Sequence, residues 1–404
     1  MQNANNAVRQ VLLLLAFVAA LVMAPVAPEA GNIVFLGVSV VCLLLMRSRD
    51  LQLASRPVVW MPLLGLGLLF VCYGLSAGFT AGLQGCLIFA PMLAIWPLLA
   101  ALSSKASATS LPGLAVLSLA GAMGAAAIAL DEFLTTGTLR AGTSVANPIH
   151  FADVALASGF LATLGLVRGQ SSARYLYLLG PVFALVAVVL SGTRGAVLAW
   201  LAMIGVAVGI SVWLRLVSWR WLAPIVVAAV CVGIVALLAG ASHLSVVQRV
   251  IADLTSIAAH GLPTDSSTTD RLHMYEGALA AFLQSPLIGH GPFGYVEAAA
   301  ANARVPFGGT PHLHSDLANF AASGGALGLL AYSLFLLAPL VEIWRGPVTS
   351  SRRGLVVVFA SLAAGYFVMG LTNAVIGILT LTVFYAAIAA IAGSLSFHHA
   401  EAPA

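Results

Sequence analysis

The chain has 404 residues, of which 61% are hydrophobic and only 7% are charged, and its mean hydropathy is +1.05. A soluble globular domain carries about 25% charged residues. The composition therefore excludes an ordinary soluble enzyme and predicts a protein that is embedded in a membrane.

Apolar stretches recur along nearly the whole chain, and most are as long as the roughly 17 to 25 residues that a helix needs to cross the hydrocarbon core. Lipid tolerates only helices or closed barrels, and these stretches lack the alternating pattern of barrel strands. We therefore predict an all-α polytopic membrane protein of about twelve transmembrane helices with one large outer loop. The helices are placed near residues 10–27, 31–46, 57–75, 82–102, 111–130, 151–168, 173–190, 195–214, 221–240, 317–343, 355–371 and 374–394.

The basic residues set the predicted orientation, because cytoplasmic loops hold the excess of lysine and arginine. With both termini inside, twelve of the 17 basic residues are cytoplasmic: Arg9, Arg47, Arg49, Arg56, Lys105, Arg168, Arg174, Arg215, Arg220, Arg345, Arg352 and Arg353. The other five, on the outer side, are Arg140, Arg194, Arg249, Arg271 and Arg304. The pI near 9.0 thus reflects topology, and we expect no nucleic-acid partner.

A long segment that is not apolar divides the predicted helices into two groups. Residues 1–240 hold helices 1 to 9, residues 241–316 form the outer loop, and residues 317–404 hold helices 10 to 12 and a short cytoplasmic tail. Loops of this length in compact proteins are usually functional.

Within the outer loop, the stretch STTDRLHMYEGALAAFLQSP predicts a helix that Asp270 or a nearby threonine caps and Ser285-Pro286 ends. Glycine-rich turns are expected to follow. Residues 289–294 formally match GxGxxG, but a dinucleotide site needs a preceding strand and a following helix. We expect neither here and interpret the match as a tight turn.

Three outer arginines are candidates for anion binding. Arg194, in LSGTRGAVL, has almost no loop around it, and ionisable groups in such positions are functional hypotheses; a snorkelling side chain is the alternative. Arg271 is expected at the start of the loop helix, where the macrodipole disfavours a positive charge and an external anion would offset it. A salt bridge with Asp270 or Glu276 is the alternative. Arg140 is the weakest candidate, with a solvated loop position as the alternative.

The segment PHLHSDLANF, residues 311–320, places two histidines and an aspartate where the loop re-enters the membrane. Asp316 in a first helical turn suits the macrodipole, and we assign it to capping before catalysis. Imidazole and carboxylate suit several divalent ions, so a metal site of His312, His314 and Asp316 is an alternative. Because residues 312 and 314 cannot share a helical face, we expect no metal.

Arginines and a histidine on the outer face of a helical bundle suit a substrate that has both a phosphate group and a lipid tail. Arginine binds phosphate oxygens bidentately and stays charged, and histidine can take a proton from a hydroxyl. Positioned arginines would stabilise a departing diphosphate without a metal, while the histidine activates the attacking hydroxyl.

The order of these motifs resembles the O-antigen ligase and O-antigen polymerase superfamily. SGTRG ends one span, a long external loop holds DRLHMYEGALAAFLQSPLIGHGPFGY, and a histidine motif opens the next span. The matching elements are Arg271, Tyr275 where tryptophan is commoner, the Pro-Leu-x-Gly-x-Gly run at 286–291, and His314 followed by Ser315. The resemblance covers roughly residues 190–345 by motif and the rest by hydropathy.

The resemblance implies a metal-independent inverting glycosyltransferase of the GT-C type that needs no cofactor. An O-antigen ligase of the bacterial inner membrane would move a glycan from undecaprenyl diphosphate to lipid A–core at the periplasmic face. By position, the implied base is His314 and the implied diphosphate ligands are Arg194 and Arg271, with Arg140 as a weaker third. We add four candidate supporting residues: His312, Asp316, Tyr275 and Thr193.

Three other functions stay open on the sequence. An O-antigen polymerase would use a second lipid-linked glycan as acceptor, and a protein O-oligosaccharyltransferase would use a serine of a protein. The latter often carries an additional C-terminal soluble domain, so the end at SFHHAEAPA favours the ligase. A transporter for the lipid-linked glycan should show midplane charges or repeated halves, whereas here the ionisable groups concentrate on one face.

Overall fold

The computed structural model describes residues 2–103, 111–138, 140–168, 172–217, 252, 255–256, 258–259, 266–305, 307–346 and 349–398. Within these residues every regular element is helical, which confirms the predicted all-α class. Ten of the described helices are long and apolar enough to cross a membrane. The protein is therefore a multi-pass membrane protein.

We number the spans together with one shorter helix and the two helices of the outer loop. The helices are α1 Ala7–Val26, α2 Pro28–Leu44, α3 Pro57–Ala77, α4 Phe79–Leu102, α5 Gly113–Thr136, α6 Pro148–Val167, α7 Ser172–Leu190, α8 Arg194–Trp213, α9 Ser266–Gln284, α10 Gly291–Asn302, α11 Asp316–Arg345, α12 Ser351–Thr372 and α13 Leu379–Ser396.

The second predicted span corresponds to α2, which is too short to be counted among the ten. It is followed by a 3₁₀ turn at Ser48–Ser55, and the two axes differ by 116°. Counting this bent pair as one span gives up to 11. The predicted helix near 221–240, and the boundary at 240, lie outside the described residues, so the total of twelve stays a prediction.

Helices α6 and α13 are the most enclosed of the described spans. The main apolar core forms around α13, with large buried rings such as Phe335, Phe359 and Phe384. A second, smaller core beneath the outer loop contains Met274, Ala299 and Leu313. The loop helices are therefore packed onto the bundle through apolar contacts of their own.

Helix α11 bends sharply near its start. Gly325 has φ +59° and ψ −147°, which is not a helical conformation. Two short stretches meet there, which we call the bend (residues 322–327) and the proline–glycine turn (residues 286–291). Three backbone hydrogen bonds join them, donated by the amides of Ala326, Leu327 and His290 to the carbonyls of Pro286, Leu287 and Ala322 at 2.8, 3.2 and 2.8 Å.

Glycine is required on both sides of this contact. Gly289 has φ +64°, and a Cβ atom there would lie 2.4 Å from the carbonyl carbon of Ser323. A Cβ atom on Gly325 would lie 2.5 Å from the carbonyl carbon of Leu287. Backbones approach this closely only where side chains are absent, so the Pro-Leu-x-Gly-x-Gly motif has a packing role in this fold.

Three local predictions are wrong. Helix α10 begins at Gly291, inside the segment that was predicted to be a tight turn. The GxGxxG match still lacks the preceding strand that a dinucleotide site needs, because a helix precedes it. Helix α9 begins at Ser266, so Asp270 is not its cap and Arg271 lies beyond its first turn. Residues 373–378 form a loop, and the last span begins at Leu379 instead of near residue 374.

Substituting Gly289 by alanine should destabilise the protein by about 2 kcal/mol or more, because strained backbone conformations cost roughly 1–3 kcal/mol each and the new methyl group would press on the bend. Thermal unfolding of the purified protein in detergent measures the effect. Gly294→Ala is the matched control: it lies in α10 with nothing within 4 Å of the new methyl group. Equal melting temperatures for the two variants would contradict the packing role of the motif.

Candidate functional site

The two histidines of PHLHSDLANF lie at the end of the bundle where α11 begins. Ser315 is the N-cap of α11, and its hydroxyl accepts from the Ala318 amide and donates to the Gly370 carbonyl at 3.1 Å. His314, directly before it, has φ +51°. Residues other than glycine rarely adopt this conformation, and such positions cluster at functional sites.

Asp316 fixes a neighbouring loop. Its carboxyl group is fully buried, and its two oxygens accept hydrogen bonds from the amides of Val375 at 2.9 Å and Ile376 at 3.1 Å. Ser315 caps the helix, so the predicted capping role of Asp316 is wrong. Asp316 does lie in the first turn of α11, as the sequence predicted. Both oxygens of Asp316 face the loop at 373–378, which argues against a metal site with the histidines.

That loop presents Asn373 to the candidate base. The side-chain Oδ1 of Asn373 lies 3.3 Å from Nδ1 of His314. Because a carbonyl oxygen only accepts hydrogen bonds, this contact places the ring proton on Nδ1 and leaves the lone pair on Nε2. Asn373 thus sets the tautomer in which His314 can accept a proton. On sequence alone, Asn373 lies between the predicted spans 355–371 and 374–394 and is not assigned to the site.

Tyr275 ties three elements together. Its hydroxyl lies 3.0 Å from the carbonyl oxygen of His314 and 3.1 Å from that of Leu371, at the end of α12. Arg271 is four residues earlier on α9, and residues at this spacing share a helical face. Arg271 therefore lies on the face of α9 that meets residues 311–320, which we call the histidine segment.

The histidine rings of the segment are held against each other. The amide of His314 donates to Nδ1 of His312 at 3.2 Å, and the rings meet edge to face with centroids 4.4 Å apart. Burial lowers the pKa of His312 to about 4, with further lowering by the charges of His314, His150 and Arg271. The pKa of His314 is also lowered, mainly by burial and further by the charge of Arg271, against an opposing effect of its hydrogen bond with Asn373. Both rings are therefore neutral near pH 7.

His150 is a third imidazole of this cluster, which sequence reasoning did not single out. It lies in the first turn of α6, whose N-cap Asn147 accepts from the Ile149 amide at 3.0 Å. Its charge acts on His312, as described above. A signal was available in ANPIHF, where Asn-Pro predicts a helix start directly before the histidine.

Arg194 opens α8 beside this cluster. Its N-cap Thr193 is buried, and the Thr193 hydroxyl contacts the Pro148 carbonyl at 3.4 Å, at the start of α6. A Cβ atom on Gly195 would lie 2.2 Å from the hydroxyl of Thr372. The first turn of α8 thus packs against the residue that precedes Asn373.

Arg140 lies at the same end of the bundle, on an exposed position. The next amide, of Ala141, donates to the Leu190 carbonyl at the end of α7, at 3.0 Å. The loop around it is held by Glu132, a buried carboxyl group that accepts from the amides of Gly142 at 2.8 Å and Ser144 at 3.0 Å. Arg140 is therefore brought near the SGTRG turn by a fixed loop.

The structure brings the candidate site residues to one end of the bundle through a continuous series of contacts. The loop of Arg140 meets the end of α7, the SGTRG turn meets α6 and α12, and the end of α12 meets His314 through Tyr275 and Asn373. Arg271 acts electrostatically on both histidines of the segment. Residues that are up to about 170 positions apart in the chain thus share one region, which spacing alone did not reveal.

A groove of about 290 Å³ opens beside His312. Its walls come from α3, α4, α10, the start of α11 and the 373–378 loop, and they include the rings of Tyr73, Phe89, Phe293, Tyr295 and Phe320. None of the three candidate arginines lines it. The site therefore has a basic side and a separate aromatic side.

In the part of the chain that the structure describes, no three His, Cys, Asp or Glu side chains are placed to hold a metal ion together.

Comparison with known families finds a match that begins in α7 and ends in α11. Residues 179–333 match the family model described as O-antigen ligase, which confirms the resemblance inferred from the motifs. The matched range contains Arg194, Arg271, the proline–glycine turn and His314. A search of the curated proteins finds no match.

Removing a neighbour of His314 should shift its pKa in a direction that depends on the neighbour. Arg271→Gln should raise the pKa of both His312 and His314, because the positive charge of Arg271 lowers them. Asn373→Leu should lower the pKa of His314, because the hydrogen bond to Asn373 raises it. Ring titrations by NMR with labelled histidine measure both shifts. Arg304→Gln is the control, because Arg304 is an exposed arginine of the same loop. Shifts of the His314 pKa in the same direction in the Arg271 and Asn373 variants would contradict the geometry.

Tyr275→Phe should destabilise the protein by about 1–2 kcal/mol, because two carbonyl groups lose their shared donor and unpaired buried polar groups cost about 1–3 kcal/mol. Thermal unfolding in detergent measures the loss. Tyr295→Phe is the matched control, since that hydroxyl makes one long contact of 3.4 Å with the Pro311 carbonyl. A larger loss for the control would show that Tyr275 does not hold the segment.

Proposed function

We propose that this protein, whose residues 179–333 match the O-antigen ligase family, transfers a lipid-linked glycan to a lipid-anchored acceptor. The donor is a glycan on undecaprenyl diphosphate, the preferred acceptor is lipid A–core, and the protein acts as an O-antigen ligase. The observation that carries the proposal is His314: it is neutral, its Nδ1 proton is held by Asn373, and Arg271 lies close enough to act on it electrostatically.

The proposed location is the bacterial inner membrane, with both termini cytoplasmic and His314 on the periplasmic side. The support is the distribution of charge between the two ends of the bundle. Arg9, Arg56, Arg215 and Arg352 lie at the end away from His314, and an excess of arginine marks the cytoplasmic face.

The proposed donor site is the basic side of the region. Arg194, Arg271 and Arg140 bind the diphosphate, because guanidinium groups stay charged and match phosphate oxygens in bidentate geometry. The undecaprenyl chain extends into the membrane alongside the bundle. Thr193 supports this side by fixing the turn that carries Arg194 to the start of α6.

The proposed reaction is an inverting displacement in one step. Nε2 of His314 takes the proton of the acceptor hydroxyl as its oxygen forms a bond to the anomeric carbon. The bond from that carbon to the diphosphate oxygen breaks on the opposite face, and undecaprenyl diphosphate leaves with the electron pair. The arginines stabilise the charge that develops on the diphosphate, so the chemistry requires no metal.

The lowered pKa of His314 suits this role. A base must be unprotonated before it acts, and a ring whose pKa lies below the usual 6.5 is neutral throughout the neutral range. His312 holds the backbone of His314 through its Nδ1 atom, and Asp316 holds the loop that carries Asn373. Both residues therefore act by positioning the base.

The proposed acceptor site is the aromatic groove beside His312. Aromatic rings provide flat apolar surfaces, which suit the faces of sugar rings in the core oligosaccharide. The groove lies apart from the arginines, so donor and acceptor reach His314 from different sides. An acceptor bound here places no diphosphate on the arginines, which favours lipid A–core over a second undecaprenyl diphosphate glycan.

The proposal is tested by incubating the purified protein with undecaprenyl diphosphate glycan and lipid A–core and measuring the mass added to the core. A product of core plus glycan supports the ligase. Longer glycans on the lipid carrier, with no change in the core, would move the function to polymerase. Glycan export from sealed vesicles without any new glycosidic bond would show a transporter instead.

Catalysis should depend on His314 and on guanidinium geometry. His314→Ala should lower the rate of transfer by about 10²–10⁴-fold, the usual contribution of a positioned general base. Arg194→Lys and Arg271→Lys keep the charge but lose bidentate binding, so the KM for the donor should rise. Arg304→Lys is the control, since Arg304 is exposed and pairs with Glu276. Full activity of the His314 variant would exclude it as the base.

Transfer should also be unchanged by a chelator. Arginines supply the positive charge that a divalent ion supplies in other transferases, so EDTA should leave the initial rate as it was. A rate that EDTA abolishes and that Mg²⁺ or Mn²⁺ restores would contradict the proposed mechanism.

A further inference from the structure

A second groove lies at the opposite end of the bundle from His314. Its volume is about 510 Å³, and it is bounded by the ends of α8 and α11 and the start of α12. Three arginines line it: Arg215 follows α8, and Arg352 and Arg353 lie in the first turn of α12. The proposed transfer reaction uses none of these residues.

The groove is strongly basic. Its lining includes no carboxyl group among the described residues. The buried carboxyl group on the last turns of α11, Glu342, is paired with Arg56 and accepts from the hydroxyl of Ser396 at 2.6 Å. It is therefore engaged on another face. In the part of the chain that the structure describes, three guanidinium groups line the groove without a carboxylate, which gives it a positive charge that attracts anions.

Part of this basic lining is rigid. Arg352 donates through Nε to the Ile343 carbonyl at 3.2 Å, donates a second bond to the Trp344 carbonyl, and lies 5.6 Å from the centroid of the Trp344 ring. Its charge is thus fixed at the wall. Arg215 and Arg353 are exposed and approach from α8 and α12 respectively. The groove presents positive charge from more than one helix, as a phosphate site does.

Tryptophans place the groove at the membrane surface. Trp213 and Trp344 are 67% and 51% exposed, and their parallel rings have centroids 6.3 Å apart. Exposed tryptophans of membrane proteins lie at the level of the lipid headgroups. Leu214 and Val356 add apolar lining. A basic, partly apolar groove at this depth fits a molecule that has both a phosphate and acyl chains.

We propose that this groove binds the headgroup of an anionic phospholipid from the leaflet at that end of the protein. Arg215 and Arg353 contact the phosphate, Arg352 adds fixed positive charge, and the tryptophans flank the glycerol region. Basic pockets between transmembrane helices bind anionic headgroups in this manner. The occupant is a resident lipid, distinct from the donor and acceptor of the transfer reaction.

The test compares the protein in nanodiscs of phosphatidylcholine with and without cardiolipin or phosphatidylglycerol. Anionic lipid should raise the melting temperature by several degrees and should remain bound in native mass spectrometry. The double variant Arg215→Gln/Arg353→Gln should lose both effects, and Arg215→Lys/Arg353→Lys should keep most of them. Each shift is taken relative to the same variant in phosphatidylcholine, so a general loss of stability does not imitate the result.

Arg174→Gln is the matched control, because Arg174 is partly buried, lies over the ring of Tyr175 and does not line the groove. An undiminished lipid shift in the double glutamine variant would overturn the proposal. Equal stabilisation by inorganic phosphate would show an anion site without lipid. Absence of bound lipid in the wild-type protein would also overturn the proposal.

Discussion

The hydrogen bonds of one buried carboxyl group hold the candidate site together. Asp316 is fully buried at the start of α11, and its oxygens accept the amides of Val375 and Ile376. A buried carboxyl group is costly unless it is hydrogen-bonded, so the start of α11 and the loop between α12 and α13 are ordered together. The same loop carries Asn373, whose contact with His314 sets the ring tautomer. The orientation of the candidate base, His314, therefore depends on Asp316, which makes no hydrogen bond to the ring.

Helix α11 connects three separate features of the protein. Its first residues place the histidine segment, its bend binds the proline–glycine turn, and its last turns carry Glu342 and the wall of the basic groove. Because the bend is held by backbone hydrogen bonds and by glycines with positive φ, the short first part of α11 has a fixed direction relative to the long lipid-facing part. The outer loop is thereby joined to the bundle at a rigid point.

Hydropathy predicted the helical class and most spans, because lipid leaves a backbone few alternatives. Motif order predicted the family match and led to Arg194, Arg271 and His314.

Sequence reasoning failed where contacts are distant or where two local signals compete. Asn373 is 59 residues from His314 and carries no motif, and His150 lies on another span. Helix α10 was missed because the glycines of GPFG outweighed the proline that favours a helix start. The start of α9 was misplaced because Asp270 is a good cap residue, although the chain is already helical at Ser266.

The contact between the proline–glycine turn and the bend has a genetic consequence. Neither Gly289 nor Gly325 has a side chain that could bind a substrate or move a proton, yet their close approach sets the direction in which the histidine segment leaves the membrane. A random mutagenesis screen scored only by loss of product will therefore return these glycines beside any residues that act in catalysis. Protein abundance in the membrane separates the two groups, because glycine variants fail in assembly whereas variants of a catalytic residue accumulate as folded, inactive protein.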